Sequence, residues 1–201
     1  MKDLRIKFIQ SPFYDSNRYT TKMIVIHHTG STEGKINSVE GTIAWFTNLN
    51  GHKKDEKGNI VDKASAHYLI PREPYQDFDI IQFVLEKDVA YHAGNSSWSL
   101  NGQEIKGVNR HSIGIELQGD GNLSEPDGLY TEFQYETLIE LTLGIIKRHK
   151  DILISNIVGH QHISLGRKFD PGKSFDWKRL ESSLAFEMNP NTPMSNLIKD
   201  T

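Results

Sequence analysis

The run Met23-Ile24-Val25-Ile26 ends in His27-His28, and it constrains the chain more than any other segment. Continuous apolar residues with β-branched members read as a strand buried on both faces, the kind found where a sheet is covered on each side. Such a strand needs neighbours. Apolar runs at residues 67–70, 80–85, 113–117 and 152–158 supply them. Residues 4–9 alternate Leu4, Ile6 and Phe8 against Arg5 and Lys7, which suits an edge or half-exposed strand.

Between these runs the period changes. Ile36, Val39, Ile43 and Phe46 recur at helical spacing, as do Leu138, Leu141 and Ile145. Thr131 and Gln134 form a capping-box pattern ahead of the second set, and Asp176 is an N-cap candidate ahead of Trp177, Leu180 and Leu184. Strands alternating with helices predict an α/β chain with a central sheet flanked by helices. Residues 51–63, 95–110 and 119–128 read as loops, and 188–201 as a loosely docked tail. At 201 residues one domain is expected over 1–201, with its core at about 22–187.

Composition narrows the function. With 23 Lys+Arg against 26 Asp+Glu the net charge is −3, a poor field for a nucleic-acid binder, so no nucleic-acid partner is expected. There is no cysteine, which excludes thiol nucleophiles and cysteine zinc clusters and turns attention to the nine histidines. No run approaches a membrane span, so no membrane partner is expected. The first residues lack the apolar stretch of a secretory signal, so a cytoplasmic location is expected. Gly172-Lys173-Ser174 is no phosphate loop, because the glycine needed six residues upstream of the lysine is Arg167.

Three segments carry chemistry. His27 and His28 end a buried strand and point to opposite faces, so one of them faces a given pocket. In the run 157–177, His160 follows a second apolar stretch and Asp170 precedes Pro171. Extended backbone there puts Lys168 and Asp170 on one side and Phe169 on the other. Glu116 interrupts an apolar strand, costly for a carboxylate unless it is paired or working. Together, two imidazoles and a carboxylate make an open zinc site, the glutamate can take a proton from water, and the lysine can stabilise an oxyanion.

The stretches VIHHTG, SAHYLI, AYHAGNSSW, SIGIELQGD and GHQHISLGRKFDPGKSFDW, spanning about 22–180, resemble the zinc-dependent N-acetylmuramoyl-L-alanine amidases of the amidase-2 type, AmpD-like branch. The resemblance implies a central mixed β-sheet with helices around it, and one zinc per chain held by His27, His160 and Asp170. It further implies Glu116 as catalytic base and Lys168 as oxyanion stabiliser. His92 and His28 become candidates for substrate binding, whereas His52, His111 and His149 read as solvated. His162, two residues past a ligand, would share its side if that segment were extended. The expected substrate is a muropeptide or peptidoglycan, with soluble anhydromuramyl fragments favoured. The rival readings are a phage-type lysin released to the cell wall and a non-catalytic peptidoglycan-recognition module.

Overall fold

The computed structural model describes residues 3–100 and 102–189. The expected tail lies, from residue 190 on, outside the described residues. Six strands form the central sheet: β1 (Ile6–Phe8), β2 (Met23–His28), β3 (Tyr68–Ile70), β4 (Ile80–Gln82), β5 (Ser112–Leu117) and β6 (Ile157–Gly159). Their order is β1-β4-β3-β5-β2-β6. The pair β3/β4 is antiparallel and the other pairs are parallel, so the sheet is mixed, as expected. The central strand β2 is the MIVI run extended through both histidines, and all four of its apolar side chains are fully buried.

Four helices pack around this sheet: α1 (Val39–Thr47), α2 (Glu132–Arg148), the single turn α3 (His160–Ile163) and α4 (Trp177–Met188). Each long helix starts where a side chain satisfies its free N–H groups. Ser38 accepts from Gly41, Thr131 and Gln134 close a reciprocal capping box, and Asp176 accepts from Arg179. Ile24 and Ile26 of β2 face the core shared with Leu138, Leu141 and Ile145 of α2 and Leu180 and Leu184 of α4. Met23 and Val25 face the other way, against Val108, Val158 and Ile163. On that second face α1 covers Leu69 and Ile81 through Val39 and Phe46.

Several elements depart from the sequence expectation. Residues 95–110 hold an antiparallel hairpin, Ser97–Leu100 with Gln103–Lys106, which polar composition hid. Its Leu100 and Trp98 pack on the Val25 core. The 80–85 run leaves the sheet after Gln82, although Phe83 and Val84 stay fully buried. In β1 the alternation is inverted: Ile6 and Phe8 are exposed, while the flanking Leu4 and Ile9 pack inward. An edge strand this short is held mainly by its backbone ladder to β4. No helix among the described residues is long and apolar enough to cross a membrane.

A partly buried ion cluster ties the sheet to the end of α2. Glu86 accepts from Tyr68 at 2.8 Å, from Arg148 at 2.7 and 2.9 Å, and contacts Nε2 of His149 at 2.9 Å. His149, read from sequence as solvated, is thus partly buried and paired. Burial alone would raise the Glu86 pKa, but Arg148, Tyr68 and His149 outweigh it and bring it from 4.5 down to about 2. A carboxylate with a depressed folded-state pKa stabilises the fold above its unfolded pKa and loses that contribution as pH falls through the folded value. The melting-temperature gap between wild type and Glu86→Gln is therefore full near neutral pH and shrinks as pH falls from 4.5 towards 2. A gap independent of pH over that window would show that the charge of Glu86 contributes nothing.

Candidate metal centre and its groove

The register of the sheet assembles the site. Glu116 of β5 lies opposite His27 of β2 in the parallel ladder, with Leu69 of β3 on its other side. Val158 lies opposite Val25 and Gly159 opposite Ile26, so His160, the next residue, arrives beside His27. Alternation then puts His27 and Glu116 on the same face of the sheet, at the carboxyl ends of three parallel strands, where open α/β sheets place ligands.

Asp170 comes from a loop. Its position depends on a close backbone approach: a Cβ on Gly121 would lie 2.1 Å from the Pro171 carbonyl oxygen, so only glycine fits there. The Tyr130 hydroxyl donates to that same carbonyl at 2.6 Å, and Gln161 N–H donates to the Asp170 carbonyl at 2.9 Å.

The three side chains meet closely. Nδ1 of His27 lies 3.0 Å from Nδ1 of His160 and 2.9 Å from Oδ2 of Asp170, and Nδ1 of His160 lies 3.1 Å from that oxygen. All three residues are buried. Burial pulls the His27 pKa down to about 4 although Asp170 opposes it, so its ring is neutral at pH 7.

The far nitrogens decide what the near ones can do. Nε2 of His160 lies 3.1 Å from the Ala93 carbonyl, which can only accept, so His160 carries its proton there. Nε2 of His27 meets Nδ1 of His92 at 3.0 Å. With both far nitrogens protonated, two imidazole lone pairs and an anionic oxygen face one another. Such a cluster of acceptors fits a divalent cation, and these three residues form a group that could hold one.

The group lines a cavity of about 660 Å³, which also contains Glu116, Lys168 and His28. Its opposite wall comes from Thr42 and Trp45 of α1, with Ser65 and Tyr91. Sequence reasoning missed this wall, since helical spacing marks Phe46 as core but gives Trp45 no partner. Oε2 of Glu116 has no hydrogen-bond partner among the described residues. Burial first, then Asp170, raises its pKa well above the ordinary value, with Lys168 pulling it back. Lys168 is exposed although it lines the cavity, and Phe169 beside it is 67% exposed and does not line the cavity.

A family model described as N-acetylmuramoyl-L-alanine amidase matches residues 17–173. The chain belongs to the N-acetylmuramoyl-L-alanine amidase family. It is 34% identical over 178 residues to the 1,6-anhydro-N-acetylmuramyl-L-alanine amidase AmpD of Citrobacter freundii, which covers 87% of each chain. A crystal structure of AmpD matches with a TM-score of 0.70 at 32% identity, covering 90% of this chain and 94% of that one. The amidase AmiD from E. coli, solved with the substrate anhydro-N-acetylmuramic acid-L-Ala-D-gamma-Glu-L-Lys, matches with a TM-score of 0.59 at 30% identity, over 83% of this chain and 58% of that one.

In this amidase the remaining histidines fall into distinct environments. His28 lines the cavity, with Nε2 3.3 Å from Asp120 and 3.2 Å from the Asn122 amide, while Nδ1 has no partner among the described residues. His92 also reaches the cavity wall, but both its ring nitrogens are engaged by protein. His162 does not share the side of His160, because α3 is a helical turn. Its Nδ1 accepts from Gly159 N–H at 3.0 Å and its ring packs on Trp177. His52, expected in solvent, is buried between Phe13 and Trp45 and contacts Asp62 and the Trp45 carbonyl. It braces the groove-lining tryptophan from behind.

Removing one donor of three leaves two, too few to hold a divalent ion firmly. Wild-type amidase is expected to retain about one zinc per chain after desalting, as three protein donors with an open fourth position allow. His160→Ala is expected to retain none. Equal zinc content in the two proteins would remove His160 from the ligand set.

Proposed function

We propose that the chain hydrolyses the amide bond between N-acetylmuramic acid, in its 1,6-anhydro form, and L-alanine in peptidoglycan fragments, with one zinc ion held by His27, His160 and Asp170. One observation carries this reading. Three mutually repelling electron-pair donors converge at the floor of a groove that also contains Glu116 and Lys168. The likeness to AmiD, whose solved complex contains an anhydromuramyl peptide, supports the substrate class.

His27, His160 and Asp170 would hold the zinc ion, which when bound would supply Lewis acidity to a water and to the scissile carbonyl. The rest is the work of the chain. Glu116, unpartnered at Oε2 and made more basic by burial, takes a proton as water oxygen bonds to the carbonyl carbon. Lys168 places its ammonium at the groove, where it offsets the charge growing on the carbonyl oxygen. When the carbon–nitrogen bond breaks, Glu116 returns the proton to nitrogen, leaving a lactyl carboxylate and the free amine of alanine. His28 and Trp45 line the same cavity and are available to contact the substrate. A cytoplasmic location goes with this proposal. A recognition module that binds without cutting has no need of the proton acceptor and the cation together.

Glu116→Gln keeps the shape and removes the basicity. Its zinc content is expected to match wild type while kcat falls about 10²–10⁴-fold, the usual size of a general-base contribution. Near-normal kcat in Glu116→Gln would place the base elsewhere.

The reaction itself is tested by digesting anhydromuramyl-L-Ala-D-Glu-diaminopimelate and identifying products by mass. Free anhydromuramic acid and intact tripeptide are the expected pair. Release from purified sacculi is expected at lower kcat/KM, and faster turnover of sacculi would overturn the assignment to soluble fragments.

A further inference from the structure

His92 has more constraints on it than a groove-lining side chain needs. Its ring lies flat against β5 at Gly114, where a Cβ would stand 2.5 Å from the ring carbon Cγ. Its Nδ1 lies 3.0 Å from Nε2 of His27, and its Nε2 lies 3.2 Å from the Ser112 hydroxyl. That hydroxyl in turn lies 2.8 Å from the Val108 carbonyl.

The direction of every bond in this chain follows from its last member. A carbonyl oxygen only accepts, so Ser112 donates to Val108 and accepts from His92. His92 therefore carries its proton on Nε2 and presents a lone pair at Nδ1. His27 must donate Nε2–H to it, which leaves Nδ1 of His27 as a lone pair aimed at Asp170 and His160.

The next residue serves the second imidazole. The Ala93 carbonyl accepts from Nε2 of His160 at 3.1 Å. The backbone of both residues is clamped from one side, since Oδ1 of Asn109 accepts from His92 N–H at 3.1 Å and Ala93 N–H at 2.7 Å. One dipeptide thus sets the orientation and the protonated nitrogen of two histidines that are 133 residues apart in sequence.

We infer that His92 is a positioning residue for the metal centre, holding His27 in the tautomer and orientation that ligation requires through the chain Val108–Ser112–His92–His27. The inference rests on the metal reading proposed above. It also accounts for β5 as a unit: Ser112, Gly114 and Glu116 share one face, the first anchoring His92, the second making room for it, and the third reaching the groove.

The test compares two variants of nearly equal shape. Asn at position 92 keeps an acceptor near the place of Nδ1, and Leu does not. Zinc affinity of the metal-free full chain is measured by competition with a chromophoric chelator, and thermal melting of the metal-free proteins checks the fold. His92→Leu is expected to bind zinc about 10–100-fold more weakly than wild type, the usual cost of losing a bond to a metal-ligating imidazole. His92→Asn is expected to recover much of that loss. Nitrogen NMR of the metal-free wild type is expected to show His27 as the Nε2–H tautomer.

Equal zinc affinity for His92→Leu and wild type would overturn the inference, as would equal weakening by Leu and Asn or a His27 proton found on Nδ1. If His92→Leu does not fold, Ser112→Ala takes its place. That variant removes the acceptor at the far end, and its zinc affinity must fall for the inference to stand. A wild-type chain that binds no zinc would instead remove the metal reading itself.

Discussion

Two imidazole lone pairs and a carboxylate oxygen, each within 3.1 Å of the other two, repel one another, and the fold has to hold them together. Each comes from a different part of the chain, so the constraint is tertiary. Rigid parallel strands bring His27 and His160 side by side through backbone hydrogen bonds that do not depend on the site. Asp170 lacks a strand, and its loop is fixed instead by backbone packing against Gly121 and by the Tyr130 hydroxyl on the Pro171 carbonyl. The opposite face of the sheet, packed against α2 and α4, supplies the burial that offsets such repulsion.

Low solvent access is as much a part of the chemistry as the donors are. It keeps His27 neutral at physiological pH, which a ligand needs, and it makes Glu116 more basic than a surface carboxylate, which a proton acceptor needs. One cause moves both groups in the useful direction, because desolvation always disfavours the charged form.

The groove is built by elements with no part in the chemistry. Its far wall is α1, carried by the β3–β4 half of the sheet, with Trp45 stiffened by the buried His52 ring at 4.3 Å. The charged segment 51–63 therefore acts at one remove, lending His52 as a brace, while none of its side chains lines the cavity. The 95–110 hairpin likewise stands behind the site, burying Leu100 on the Val25 core.

Where local chemistry suffices, the sequence alone determined the outcome. A short β-branched apolar run suits a doubly covered strand, a Thr-x-x-Gln pair satisfies two of the free N–H groups of a helix start, and both appear as expected in β2 and α2. That Glu116, Lys168, Asp170, His27 and His160 line one cavity was anticipated mainly by the resemblance of five sequence stretches to the amidase family, since strand parity alone left His27 and His28 as alternatives. The tertiary structure alone decided the roles of the other histidines. His52, His92 and His162 look alike as letters, yet one is buried behind a tryptophan, one hydrogen-bonds a candidate ligand and one caps a helical turn. An imidazole takes its function from what its two nitrogens meet, and for His92 those partners lie 65 and 20 residues away, a distance no local pattern can encode.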